Sequence, residues 1–284
     1  MNRGLVVRLG LSILRISLVV FISIVVLLLF KQHSLIYFPH NYGKEYSLRL
    51  PKNAIELKYG ASEGNQLSFF IPPKNHTRHT PARVWFLFSG NGSVALDWTD
   101  LVARCPNQED GFLLIDYPGY GKCEGSTSPD TIEESAEKTL EALATYLQVD
   151  RKELEPRLNV LAHSIGCGTA LNFAVHYTVQ QIILIAPFTS LRAMARKTVG
   201  WPLCYLLLHN FDNKERLDQL ASRANPPKIV IFHGSDDTLI PPSMSKELAS
   251  DFPDMIEYHL VADADHNTVA SIAEDDILKA IGHE

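Results

Sequence analysis

The stretch "NVLAHSIGCGTA", Asn159 to Ala170, runs from apolar residues through His163 and Ser164 into small residues and glycines. An apolar run of strand length that breaks at a serine and continues in helix-compatible small residues is the setting of a G-x-S-x-G turn. There the serine is held out at a sharp strand-to-helix corner. Strand and helix cross closely at that corner, so the residues two before and two after the serine must be small. Here they are Ala162 and Gly166. The alanine departs from the usual glycine by one methyl group. A serine among small residues is a weak signal alone, because helix capping and tight packing produce the same pattern. Its surroundings have to decide.

On either side, the chain alternates short β-rich runs with longer helical ones. "AIELKYG" and "QLSFFIP" read as an opening hairpin, and "RVWFLFSG", "GFLLIDYPG", "LNVLAHS", "QIILIAPF", "PKIVIFHG" and "IEYHLV" are apolar runs of strand length. The clearest helix is "SPDTIEESAEKTLEALATYL", with Pro129 near its start, acidic residues in the first turn, and Ile132, Ala136, Leu140 and Leu143 at helical spacing. Continuous apolar strands separated by helices predict an α/β layered fold with a mostly parallel sheet. The chain contains no internal repeat and no low-complexity tract. "PPKNHTRHTP", Pro72 to Pro81, is a polar turn whose Asn75-His76-Thr77 accepts a glycan only in a eukaryotic secretory setting.

A serine hydroxyl is a poor nucleophile at neutral pH. Chemistry at Ser164 would need a histidine base and a carboxylate to fix that histidine's tautomer. After "PKIVIF" comes "HGSDDTLIPP", which puts Asp236 and Asp237 just past a strand, and after "IEYHLV" comes "ADADHNTV", which puts His266 past the next one. Strand C-termini are where ligands and reactive groups gather in open α/β sheets. The order serine, acid, histidine is the one such a fold requires.

Through "SGNGS", "DYPGYGKCEG", "AHSIG", "APFTS", "HGSDDTLIP" and "DHN", in that order, the sequence from about Tyr37 onward resembles the α/β-hydrolase superfamily, and within it membrane-anchored and serine-aminopeptidase-like members. The resemblance implies an α/β-hydrolase fold, with helices flanking a mostly parallel central sheet and a short helical lid. It implies a serine hydrolase acting by acyl transfer, with Ser164 as nucleophile and His266 as base. By the family's H-G-x-x-D-x-x-x-P pattern, carried here by His233, Gly234, Asp237 and Pro241, the acid is Asp237 rather than Asp236. The oxyanion hole falls on the backbone N–H groups of Ile165 and Asn91. Many relatives carry His-Gly before that second position, where this chain has Ser89-Gly90. No metal and no organic cofactor is implied. Carboxylic esters or thioesters are the leading substrates, a peptide bond is the alternative, and a non-catalytic anchored interaction module is the rival that the ordered triad argues against.

Other residues have blander readings. His163 is expected to pack or hydrogen-bond from the corner with its ring turned away from the serine, and Cys167 to be a small core residue. Asp116 in "DYPGYG" is expected to fix a loop through backbone hydrogen bonds rather than to meet substrate. Asp263 and Asp265 read as solvated loop charges. "WPLCYLLLHNF", Trp201 to Phe211, falls inside a possible lid segment, residues 190–226. It suits equally an acyl pocket lined by Trp201, Leu206 and Leu207 or a helix packed on the core.

Before the globular part, "LGLSILRISLVVFISIVVLLLF", Leu9 to Phe30, is uncharged apart from Arg15. At about 1.5 Å per residue it is long enough to cross a hydrocarbon core of roughly 30 Å. Arg15 lies near one end, where its stem can snorkel. The segment lacks the small-residue site of a cleaved signal peptide, which favours a retained transmembrane helix. Residues 1–34 are therefore expected to form an anchor and residues 35–284 the α/β-hydrolase domain. Arg3, Arg8 and Arg15 against Lys31, Lys44 and Arg49 give a slight bias towards a domain on the non-cytoplasmic side. The short connection from Lys31 to Tyr46 keeps the domain at the bilayer, where a lipid-like or acylated substrate would be at hand. A chain beginning at Lys31 is expected to fold and to hydrolyse short esters. A net charge of −6 and a pI near 6.0 give no support to a nucleic-acid partner. The four cysteines form no CxxC pair.

Overall fold

The computed structural model describes residues 3–44, 46–75 and 80–282. His76 and Thr77 of the possible glycan acceptor lie outside them. The strands are β1 Ile55–Ala61, β2 Gly64–Ile71, β3 Val84–Phe88, β4 Gly111–Ile115, β5 Leu158–His163, β6 Val179–Ile185, β7 Lys228–Gly234 and β8 Ile256–Val261. The longer helices are α1 Arg3–Ile36, α2 Pro129–Leu147, α3 Ile165–His176, α4 Leu191–Val199, α5 Asn213–Ala221, α6 Pro242–Asp251 and α7 Glu274–Gly282.

All eight strands form one sheet in the order β1-β2-β4-β3-β5-β6-β7-β8. β1 and β2 pair antiparallel, as do β2 and β4, and every pairing from β4 to β8 is parallel. The apolar runs of β3, β4 and β5 are buried on both faces, which is why they carry no polar alternation. Val84, Phe86 and Phe88 of β3 join a core with Leu140 of α2, Phe173 of α3, Leu217 of α5 and Leu248 of α6, while Trp85 and Leu87 face Leu96, Val269 and Ile277 of α7. Helices thus cover both sides of the sheet. α2 starts where Ser128 Oγ accepts the Thr131 N–H at 3.1 Å, satisfying one of the donors a helix N-terminus leaves over.

Two organisational expectations change. α1 runs without a break to Ile36, so the residues after Phe30 are helix rather than linker. Its stretch Val6–Ile36, which contains an 18-residue window of mean hydropathy 3.0, is long and apolar enough to cross a membrane. In the segment 190–226, α5 belongs to the core: Leu217 and Leu220 are fully buried against α3, and Arg216 Nε donates to Asn172 Oδ1 at 2.9 Å. Only α4 and the turn Leu203–Leu206 stand over the strand ends.

Candidate active site

Ser164 joins β5 to α3 with φ 55° and ψ −120°, a conformation costly for a non-glycine residue, on the order of 1–3 kcal/mol. The neighbourhood over-determines it. The Ser164 N–H donates to the Ile185 carbonyl at 2.9 Å, and a Cβ at Gly166 would stand 2.5 Å from the Phe88 carbonyl oxygen and 2.6 Å from that of Ser89. Glycine at 166 is what lets α3 pass against β3. Ala162 is buried without clash, so its methyl group is accommodated.

β5, β7 and β8 are parallel, so the loops that follow them emerge at one edge of the sheet. His266 Nδ1 donates to Asp237 Oδ2 at 2.7 Å, leaving Nε2 to accept from Ser164 Oγ at 2.9 Å. All three residues are buried. Asp237 Oδ1 accepts the N–H groups of Leu239 at 2.9 Å and Ile240 at 2.8 Å. Burial alone would raise the Asp237 pKa. Hydrogen bonds from His233, His266 and the Ile240 N–H outweigh it and hold the carboxyl well below the usual carboxylate range. Asp236 turns away, its Oδ1 accepting from Ser235 Oγ at 3.0 Å. The choice between the two aspartates thus follows from the turn after β7.

The loop after β3 supplies Asn91. Among the described residues, neither its backbone N–H nor that of Ile165 donates to a protein acceptor. The Asn91 side chain is bonded at both ends: Oδ1 accepts from the Phe38 N–H at 2.9 Å and from the Tyr120 hydroxyl at 2.8 Å, and Nδ2 donates to the Ile36 carbonyl at 2.6 Å. Without the usual histidine, this loop is held by the Tyr117 hydroxyl on the Ser89 carbonyl at 2.7 Å and by Trp98 Nε1 on Ser89 Oγ at 3.0 Å.

Asp116 has the structural role expected of it. Its carboxylate accepts the Ala95 N–H and the Tyr42 hydroxyl, each at 2.7 Å, and burial pushes its pKa up to about 6. Cys167 is fully buried, which drives its thiol pKa upward. His163 does hydrogen-bond, but towards the site rather than away: its Nε2 lies 3.1 Å from the His266 carbonyl and its ring 5.0 Å from the His266 ring. Asp265 is more than a solvated charge. Its Oδ1 accepts the N–H groups of Asn267 and Thr268, both at 2.9 Å, and so shapes the turn that presents His266. Asp263 also serves the turn, with φ 56° and its N–H donated to Ser235 Oγ at 3.0 Å.

Above Ser164 lies a cavity of about 400 Å³. Leu206 and Leu207 line it, with Leu191 and Met194 of α4, Ile165, Leu239 and Ile240. Trp201 does not, and it stays 72% exposed. Phe211 packs into the core over Gly168. The segment from Trp201 to Phe211 is therefore divided between cavity, core and surface. Another wall is made by Leu28, Gln32, Leu35 and Ile36 of α1: the apolar character of Leu35 and Ile36 suits them to lie against the domain or the interface, but nothing in the sequence assigns any of the four to the cavity. Among the described residues no group of three or more His, Cys, Asp and Glu side chains is set to hold a metal ion.

The sheet order, the serine at the strand-to-helix corner and the histidine and carboxylate after the last two strands define the α/β-hydrolase fold, and this chain has it. An esterase of Pyrococcus furiosus superposes with a TM-score of 0.63 at 14% identity, over 87% of this chain and 95% of that one. An α/β hydrolase from Vibrio vulnificus gives a TM-score of 0.61 at 14% identity, over 81% of each chain. In sequence, an uncharacterised protein of Mycobacterium tuberculosis is 26% identical over 238 residues, 84% of this chain and 81% of the relative. No family model matches the chain.

Proposed function

We propose that the protein is a membrane-anchored serine hydrolase that cleaves carboxylic esters or thioesters of lipid-like acyl groups. One observation carries the reading: the hydrogen-bonded series Ser164, His266, Asp237 opens into an apolar cavity. Ser164 Oγ attacks the acyl carbonyl as His266 Nε2 takes its proton. The Asn91 and Ile165 N–H groups receive the oxyanion, and Asp237, kept ionised, stabilises the imidazolium. Collapse of the tetrahedral intermediate breaks the bond to the alcohol or thiol, which takes the proton from His266. Water, activated by the same histidine, then releases the acid and restores Ser164.

The cavity walls favour an acyl group over a peptide. A peptidase that trims N-terminal residues needs an acidic side chain to capture the free amine, and the described residues lining the cavity include no Asp or Glu. The esterase of Pyrococcus furiosus among the structural neighbours agrees with ester chemistry. The α1 helix supports membrane attachment, and the arginines at its start favour a domain on the non-cytoplasmic side.

A fluorophosphonate probe on the full chain tests the reading. The wild type should label and should hydrolyse p-nitrophenyl esters, and Ser164→Ala should abolish labelling with a fall in kcat on the order of 10⁶-fold. Folded wild-type protein that takes no label would instead leave the fold as a non-catalytic binding module.

A further inference from the structure

We infer that the last turns of α1 form part of the substrate site, with Leu28, Gln32 and Leu35 walling the acyl cavity, so that the chain of a bilayer-resident ester reaches Ser164 along the membrane helix and is measured by it. This rests on the Ser164 chemistry proposed above and adds where the acyl chain lies and which residues set its length.

Residues 28, 32, 35 and 36 fall at i, i+4, i+7 and i+8, one stripe of a helix, and all four line the cavity above Ser164. From Leu28 to Ile36 the stripe is about 12 Å long. The same helix carries no charged residue between Arg15 and Lys31. A spanning segment needs about 20 residues, so a span ending near Phe30 leaves Leu28 at the edge of the hydrocarbon layer and Gln32 at the interface. The cavity therefore starts where lipid acyl chains already are.

The helix end is fixed to the domain rather than loosely tethered. Gln32 is buried, its Oε1 accepting the Leu208 N–H at 2.8 Å and its Nε2 donating to the Leu29 carbonyl at 3.1 Å. Tyr37 is buried in the core, and the Ile36 carbonyl and Phe38 N–H are both bonded to the Asn91 side chain. Leu35 of the wall itself and, around it, Phe38, Trp201, Tyr205, Leu208 and Leu239 are exposed, aromatic and aliphatic side chains of the kind that sit in a membrane interface. With α1 crossing the bilayer, the apolar rim meets lipid, and the occupant of the cavity is a lipid acyl chain.

The experiment uses the full chain in phospholipid nanodiscs, with p-nitrophenyl acetate and dodecanoate as substrates. Leu28→Trp and Leu35→Trp should each lower the dodecanoate-to-acetate ratio of kcat/KM about tenfold, the scale of a lost hydrophobic subsite. Val26→Trp, on the opposite face of α1, should leave the ratio unchanged. Leu28→Ala should move the preferred chain length upward, which keeps the test decisive if a tryptophan is not accommodated. Unchanged chain-length profiles in the Leu28 and Leu35 variants, with fluorophosphonate labelling intact, would overturn the inference. Absence of labelling and of hydrolysis in the wild type would instead strike the serine-hydrolase reading itself.

Discussion

Ser164, Asp237 and His266 follow the parallel strands β5, β7 and β8 at one edge of the sheet, and His266 is joined to Ser164 and to Asp237 by hydrogen bonds of 2.9 and 2.7 Å. The roof over them is assembled from α1, α4 and the turn Leu203–Leu206, pieces from distant parts of the chain that meet mainly through apolar side chains. In the floor, directional bonds and backbone geometry leave little room for substitution. In the roof, apolar contacts are non-directional and individually small, so side chains can change in size while the fold persists. The contrast separates chemistry from selectivity: floor changes should alter turnover of every substrate, and roof changes should alter which substrate is preferred.

The sharpest way to break that division is at Asp237. Asp237→Asn should lower kcat on a short ester by about 10⁴-fold, by leaving His266 in the wrong tautomer. Asp236→Asn should stay within a fewfold of wild type, since Asp236 bonds to Ser235. Equal losses would mean the turn after β7, not the carboxylate, is what matters.

Gly166→Ala attacks the floor through its backbone. A methyl group 2.5 Å from the Phe88 carbonyl must displace β3 or α3, an overpacking cost of about 1–3 kcal/mol, and should lower Tm by several degrees along with all activity. Wild-type Tm and turnover in that variant would show that the crossing is looser than described.

In the roof, replacing Leu206 and Leu207 with Ser should reduce kcat/KM about tenfold on long-chain esters and much less on short ones. Equal loss on both would assign these leucines to the fold instead of the cavity, and no loss would remove them from substrate binding.

The smallest effect expected is on pH dependence. Burial, then the neighbouring His266, lowers the His163 pKa from 6.5 to about 4. The unfolded chain takes up a proton at this residue between those values while the folded protein does not, so this contribution to stability is present above about pH 6.5 and lost as pH falls towards 4. His163→Gln can keep an amide donor at the Nε2 position for the His266 carbonyl and should flatten the fall in Tm across that window by about 5 °C. A thermal-melt series with an unchanged slope would place the titrating group elsewhere.

What could be read in the sequence divides along the same line as floor and roof. Six of the eight strands are marked by apolar runs and β1 and β2 by a hairpin pattern, and Ser164, Asp237 and His266 are marked by their place after apolar runs, because strand ends fix where loop residues go. The bonds that aim them were less visible. Asp265 is recognisable as a turn former only once its bonds to Asn267 and Thr268 are known. The roof was largely hidden, for a physical reason. A helix apolar all round has no face that announces its partner, so nothing distinguishes Leu28 from Val26 or Phe30. Hydrophobicity also misplaced Trp201, which points outward, whereas the polar Gln32 is buried with both ends of its amide bonded.

The shared wall bears on how the protein can be prepared. Trimming the chain to begin at Lys31, which the sequence alone suggests would leave a folded, short-ester-cleaving domain, would instead leave Gln32, Leu35 and Ile36 on a helix stump without the turns that precede them. It would also remove Leu28 and open Ile165, Leu206 and Leu207 to solvent. Such a sample would carry a fresh apolar patch of the kind that drives self-association. With the proposed anchor in a bilayer, detergent or lipid would be as much an ingredient of the intact protein as buffer or salt.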